Sequence, residues 1–314
     1  MNKIRGAAGE ALQKFFFELK NESGDINSIV PHFADFKLIF NSNTDDLVDE
    51  EHISIYSSEW LDPAYSFNKI IPILNFKEYS LQMFEGLIIS FGGITEDVTR
   101  CSLDALSQLI SLTLKTPVNI TLSANETIDI IYNHILDILA KSAKKDRVME
   151  PLFNTISNLL IKSEFLKPKY FKFCEQIHKA ITVEIYDTNN IHKVLSAVEI
   201  FYNLLFFERI DKDHDIYSKT MRSLLFLLCH KYPVVRKRAS EKIYLFLMSI
   251  DNSLIYDIET DDVDEISILI SETNWTEVIS SIRENRNKVA KMLKINMEIK
   301  KKEDDKTVIV DIKK

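Results

Sequence analysis

The sequence predicts an all-α protein built as an array of stacked helical hairpins, and three observations carry that prediction. Nearly every segment between breakers spaces its apolar residues at the helical period of about 3.6 rather than in strand alternation. Glycine and proline are scarce, six and seven in 314 residues. Each is about 2%, against ordinary usage of about 7% and 5%, which leaves few places for left-handed turns or β-hairpins and disfavours β-rich folds. The chain is 46% hydrophobic and 27% charged, so it buries a sizeable core and is neither a disordered tail nor a mini-protein. Its length suits two ordinary domains or one elongated array.

Taken in order, residues 3–19 place Ile4, Ala8, Leu12, Phe15, Phe16 and Leu19 on one face, with Asn21, Gly24 and Asn27 as the stop. Residues 41–66, carrying Asp45, Asp46, Asp49, Glu50 and Glu51, read as an acidic solvated loop between helices. Gly92, Gly93 and Thr95 read as a helix C-cap followed by the next N-cap, the corner of a hairpin. A capping box, Ser123 with Glu126, opens a helix over 125–140 that buries Ile128, Ile131, Ile135, Leu136 and Leu139. Pro151 is expected in the first turn of a helix carrying Ile156, Leu159 and Leu160. Further helices fit 169–185, 191–207, 216–231, 234–250, 263–272 and 275–293, with a second acidic stretch at 257–265. The last is expected to take Asn274 as N-cap and Glu277 at N3, with Val278, Ile282, Val289 and Leu293 inward. Short loops join them, and the charged tail 296–314 is expected to be disordered or to add a short strand at 307–312.

Three helices repeat one pattern, an aliphatic residue at or near an Arg followed by small or apolar positions. They are Ile4-Arg5 with Ala8 and Leu12, Val98 and Arg100 with Leu103 and Leu106, and Val235-Arg236 with Ala239 and Ile243. This resembles the inner helix of a HEAT-type repeat, where the small residue admits the neighbouring helix. With a rhythm of about 40–47 residues per hairpin, the pattern predicts an α-solenoid of about six or seven irregular HEAT/armadillo-like helical hairpins over 1–295. A compact all-α domain is the alternative.

Several functions are disfavoured. A net charge of −8 argues against a general nucleic-acid binder, which needs a basic face, and makes protein partners the expectation. The amphipathic N-terminus is not a secretory signal, so the mature chain is expected to start there. No apolar run approaches the roughly 20 residues of a membrane span. Cys101, Cys174 and Cys229 form no disulfide framework and fit a reducing cytosol, so the glycosylation matches at Asn119, Asn125 and Asn274 carry no weight. Gly92-Gly93 is followed by no Gly-Lys-Ser/Thr, which removes a phosphate-binding loop. Cys174 with His178, and Cys229 with His230, are thin material for zinc, which closes four ligands from tight pairs. His214-Asp215 resembles the pair of all-α metal phosphohydrolases but lacks its companions. No nucleophile elbow or isolated carboxylate pair is present, so no enzyme, metal or cofactor is expected.

Four blocks, in order, are similar to the C-terminal region of the tubulin-folding cofactor D family. They are KIRGAAGEAL at the start, EGLIISFGGITEDVTRCSLDALSQLI at 85–110, HKYPVVRKRASEKIYLFL at 230–247 and TNWTEVISSIRENRNKVAKMLKI at 273–295. The family's long N-terminal HEAT array has no counterpart, so a C-terminal fragment or truncated gene product is expected. Cys101 also departs from the pattern, standing where a polar residue is expected, and the segment after Ile295 has no counterpart.

The resemblance implies a cytoplasmic, non-enzymatic chaperone associated with the microtubule cytoskeleton. It implies binding of β-tubulin and assembly of the α/β-tubulin heterodimer with cofactors C and E, in support of GTP hydrolysis by tubulin. A small Arf-like GTPase is a further implied partner. A generic HEAT-repeat scaffold or transport adaptor is the competing reading. The candidate partner-binding residues are the polar positions at hairpin ends: Gly92, Gly93, Thr95, Glu96 and Arg100; Arg236, Lys237 and Arg238; and Arg283, Arg286 and Asn287. Their Arg side chains suit an acidic protein surface, and the alternative is that Arg236 and Arg283 only bridge neighbouring repeats.

Overall fold

The computed structural model describes residues 62–71, 77–91, 96–115, 124–161, 166–207, 216–249 and 260–298. The expected helix over 3–19, the acidic residues 45–51, Ser123, His214-Asp215 and the tail from 299 lie outside them. Among the described residues there are eleven α-helices and no strand, as the all-α solenoid reading requires. The chain divides into two compact units, Met1–Ile138 and Leu139–Lys314.

In the first unit, α1 (Pro63–Ile70), α2 (Lys77–Phe91) and α3 (Glu96–Lys115) pack with α3 against both others, and α4 (Ala124–Lys141) begins there. The start of α1 lies inside the expected acidic loop. Pro63 suits the first turn and Asp62 caps it, accepting from the Ala64 N–H at 2.9 Å. Phe84, Leu87 and Ile88 of α2 and Val98, Ser102 and Ala105 of α3 are buried, so Val98 faces inward as the repeated pattern requires.

The second unit is a two-layered stack. One layer sets α5 (Asp146–Leu160), α7 (Ile191–Leu204) and α9 (Pro233–Ser249) side by side. The other holds α6 (Phe171–Ile185), entered through a 3₁₀ turn at Pro168–Tyr170, and α8 (Ile216–Leu227). Helix α7 touches all four neighbours, and Val194, Ala197, Val198, Phe201 and Leu204 are fully buried as a result. Ala197 and Ala239 are small and fully buried in packed helices. The final pair exchanges layers: α10 (Thr260–Glu272) packs on α9, and α11 (Ile279–Met292) packs on α10 and α8.

Three boundaries differ from the sequence expectation. Pro151 sits inside α5 rather than in its first turn, because the helix begins five residues earlier at Asp146. Thr260 opens α10 within the expected acidic stretch, and Asp262 in its first turn complements the positive end of the helix dipole. The last helix begins at Ile279, not at 275, and Val278 is exposed rather than inward. Asn274 and Glu277 instead close a separate turn, with the Thr276 N–H and hydroxyl donating to Asn274 Oδ1.

A buried ion cluster fastens the α5–α6–α7 corner. Lys193 Nζ, only 2% exposed, donates to Asp146 Oδ1 at 2.6 Å and Glu184 Oε1 at 2.9 Å. Glu184 also accepts the Lys144 backbone N–H on both oxygens at 3.1 Å, and Lys144 adopts a left-handed φ of 64° to present it. Asn190 caps α7 by accepting from Lys193 N, and its amide donates to Asp146 Oδ2. Burial pulls the Lys193 ammonium down, but the two carboxylates outweigh it and hold it above its ordinary value. Hydrogen bonds from Lys193 and Asn190 hold Asp146 below its ordinary 3.8.

Replacing Lys193 by Met leaves Glu184 buried without its cation, and it is expected to cost about 3 kcal/mol of unfolding free energy. Urea denaturation checks this, and a loss below about 1 kcal/mol would show that the cluster is not a structural fastener.

His178 of α6 has Nε2 at 3.0 Å from Ser223 Oγ of α8 and packs on Phe201, and burial pushes its pKa down to about 4. Between the ordinary 6.5 and that value the unfolded chain binds a proton that the folded chain refuses. Stability therefore falls with pH through this window, by up to about 1.4 kcal/mol per pH unit. The variant His178→Gln is expected to show a flatter urea midpoint on acidification than the unsubstituted chain, and an equally steep one would remove His178 from the explanation.

Candidate partner-binding groove

The α5–α7–α9 layer leaves an open groove of about 540 Å³. Helix α5 contributes Glu150 and Asn154, α7 contributes His192, Ser196 and Glu199, and α9 contributes Val234, Lys237, Arg238 and Glu241. These alternate along each helix with buried residues such as Val194, Ala197, Val235 and Ala239, so core formation itself turns them outward. A second groove of about 380 Å³ lies between α9 and α10 and includes Tyr244, Ile270, Trp275 and Thr276. The two share Lys237 and Glu241 and so meet along α9.

The walls carry both signs of charge in a fixed arrangement. Arg238 Nε donates to Glu199 Oε1 at 2.8 Å, and Lys242 Nζ lies 2.6 Å from the other Glu199 oxygen. Ser196 Oγ donates to Asn154 Oδ1 at 2.7 Å. Lys237 is exposed and makes no ion pair among the described residues, and Val234 is 49% exposed beside it. Such a surface offers hydrogen-bonding and charged groups of the kind found at the polar rim of protein interfaces.

Arg236 lies elsewhere. It is 3% exposed, beneath α9 rather than on it. Its Nε donates to Trp275 O at 2.7 Å, Nη1 to His230 O and Lys231 O, and Nη2 to Thr276 O and Glu277 O. The guanidinium is thus spent on joining the α8–α9 loop to the α10–α11 turn and offers a partner nothing. It also explains the late start of α11, since it takes carbonyls of 275–277 that a helix from 275 would turn toward its own N–H groups.

The other sequence candidates are scattered. Gly92, Gly93 and Thr95 lie outside the described residues. Glu96 is exposed at the start of α3, and Arg100 is exposed with Nη2 at 3.5 Å from Asp97. Lys237 and Arg238 line the groove. On α11, Arg283 and Asn287 are exposed, and half-buried Arg286 lies 5.8 Å from the Phe226 ring centre.

Sequence reasoning missed Glu150, Asn154, Ser196 and Glu199. A usable signal existed, because polar partners recur at one hairpin's separation: Asn154 with Ser196 are 42 residues apart, Glu199 with Arg238 are 39 and Ser157 with Asn203 are 46.

Cys174 and His178 are packing residues on α6, and burial pushes the Cys174 thiol up to about 12. His230 Nδ1 accepts the Tyr232 N–H, while its carbonyl serves Arg236. Among the described residues no three His, Cys, Asp or Glu gather to hold a metal, and no helix is long and apolar enough to cross a membrane.

Stacked hairpins with an open groove on one layer place the chain among helical-repeat proteins, a class whose extended faces take other macromolecules. Residues 1–193 match the family described as tubulin folding cofactor D C terminal, and the chain belongs to that family. It is 27% identical over 294 residues to the Dictyostelium discoideum protein tubulin-specific chaperone D, covering 90% of this chain and 18% of that protein. The chain thus spans less than a fifth of that relative's length. No solved structure matches it.

The change Arg236→Lys keeps the charge but loses the planar fork, and it is expected to destabilise the second unit by about 2–3 kcal/mol. Hydrogen exchange should rise across 275–282 before it rises in α7. Uniform protection with unchanged stability would show that the carbonyl clamp is dispensable.

Proposed function

We propose that this chain serves tubulin folding as the C-terminal part of a cofactor D, holding tubulin along the α5–α7–α9 groove. The observation that carries the reading is the family match over residues 1–193. The named relative is a tubulin-specific chaperone, and an open groove of mixed charge suits a large folded client held without covalent chemistry. In this reading the client is β-tubulin. The chain then takes part, with cofactors C and E, in assembling the α/β heterodimer. Its contribution to GTP hydrolysis is made by holding tubulin, which supplies the nucleotide site, and the chain contributes no catalytic group. A small Arf-like GTPase is a further partner, and the work takes place in the cytoplasm at the microtubule cytoskeleton.

Binding of the full chain to β-tubulin and to the α/β heterodimer, followed by co-elution and anisotropy at near-physiological salt, tests the proposal. Saturable binding is expected. The double variant Val234→Asp, Lys237→Glu alters two exposed groove residues and is expected to weaken it by about tenfold or more, with the melting temperature unchanged. Undiminished binding by that variant would move the client off the groove. Absence of binding by the folded unsubstituted chain would end the client-holding reading.

A further inference from the structure

On the layer opposite the groove, two arginines from different helices converge on one aromatic ring. Arg222 and Phe226 sit one turn apart on α8, and the Arg222 guanidinium carbon lies 5.5 Å from the Phe226 ring centre. Arg286 reaches the same ring from α11, at 5.8 Å. Phe226 is 38% exposed, so the ring is not absorbed into the core. Like charges drawn together repel, and this arrangement is held by the ring and the helix packing rather than by counter-charge. Neither arginine has a carboxylate partner among the described residues. Arg222 donates through Nη2 to the Glu298 carbonyl, while the Nε atoms of both arginines are buried with no hydrogen-bond partner. Unpartnered buried donors on cations are costly and uncommon, so a counter-charge at the outer edge of the two guanidiniums would offset part of that cost.

The surrounding charge agrees. Lys219 of α8 is paired with Glu175 of α6 and Lys288 of α11 with Glu284, which leaves Arg222 on α8 and Arg283, Arg286 and Lys291 on α11 without a carboxylate partner among the described residues. This lies within a chain of net charge −8. A long polyanion such as nucleic acid would meet that overall negative field, whereas a short acidic segment meets only the local basic seam.

We infer that the α8–α11 seam at Arg222, Phe226 and Arg286 is a docking site for an acidic polypeptide segment. The two guanidiniums take its carboxylates, and the phenyl ring takes the aliphatic part of the same segment. Arg is suited to this because a guanidinium resting on an aromatic ring keeps its in-plane donors for a carboxylate. The site is separate from the groove and does not depend on what the groove holds.

The test is fluorescence anisotropy of a labelled glutamate-rich dodecapeptide against the full chain at low and near-physiological salt. Saturable, salt-sensitive binding is expected, and the double variant Arg222→Gln, Arg286→Gln is expected to weaken it by about tenfold or more. Lys288→Gln removes a charge from the same helix and is expected to change affinity by less than about twofold. If the double variant melts early, Arg286→Lys serves in its place, keeping the charge and losing the fork, with a several-fold loss expected. Non-saturable binding, an equal loss in Lys288→Gln, or undiminished affinity in the arginine variants overturns the proposal. Capture by phosphatidylserine vesicles through the same arginines, without binding of the peptide, overturns it as well.

Discussion

A single buried cation governs how the second unit ends. Arg236 enters the interior beneath α9 and meets five backbone carbonyls from two separate loops, with no carboxylate among them. A guanidinium removed from water needs its donors satisfied, and carbonyl dipoles achieve this without bringing a second charge inside. Because three of those carbonyls belong to 275–277, the chain there is held as a turn and α11 begins only at Ile279. The turn sets Trp275 into the core, its indole donating to Ile270 O at 2.8 Å, and Trp275 and Thr276 then border the second groove. It also directs α11 onto α8, which brings Arg286 against Phe226. The groove extension, the exchange of layers and the basic seam therefore share one cause.

The opposite end of the same layer is fastened differently. Lys193 is satisfied by two carboxylates, and one of them, on Asp146, remains half in solvent. The two solutions meet the same geometric problem, a long cationic side chain at the joint between successive hairpins. Where the joint offers free carbonyls past a helix end, a planar fork fits; where it offers acidic residues at helix ends, an ammonium does. Between these joints the hairpins are coupled by hydrophobic packing and by polar pairs about one repeat apart, such as Lys219 with Glu175, 44 residues away. Nearest-neighbour coupling of this kind is what makes a solenoid out of irregular hairpins.

The helices were legible because burial on one side imposes the helical period. Ile131, Ile135 and Leu139 of α4, and Val235, Ala239 and Ile243 of α9, are buried as that period requires. Lys237 and Arg238 were legible as surface residues for the same reason. Arg236 was not placed by the pattern alone, since its position between Val235 and Lys237 fits a surface arginine as well as a buried one. What decides it lies 39 to 41 residues away, in carbonyls that no side-chain pattern records. The Asn274–Glu277 box misled for a related reason. Its local chemistry does close a turn, as the sequence indicates, but a tertiary cation removes the acceptors that would carry that turn into a helix. Lys193 escaped notice because a lysine on a helix reads as solvated, and only the fold brings Glu184 and Asp146 around it.

The distribution of charge gives the two faces of the second unit different recognition chemistry. In the groove, Arg238 and Lys242 are already engaged with Glu199, so a partner there meets a pre-set pattern of both signs in which Lys237 is the unpaired cation among the described residues. Pre-set pairs cost little ordering entropy on binding and favour one register over others. At the α8–α11 seam the arginines rest on a ring with no carboxylate partner among the described residues, so recognition proposed there would depend on counter-charge supplied from outside. As proposed binding sites, the groove would select by pattern and the seam by sign. Since the two lie on opposite layers, occupancy of one does not block the other, and a helical-repeat protein can hold two different segments at once without any moving part.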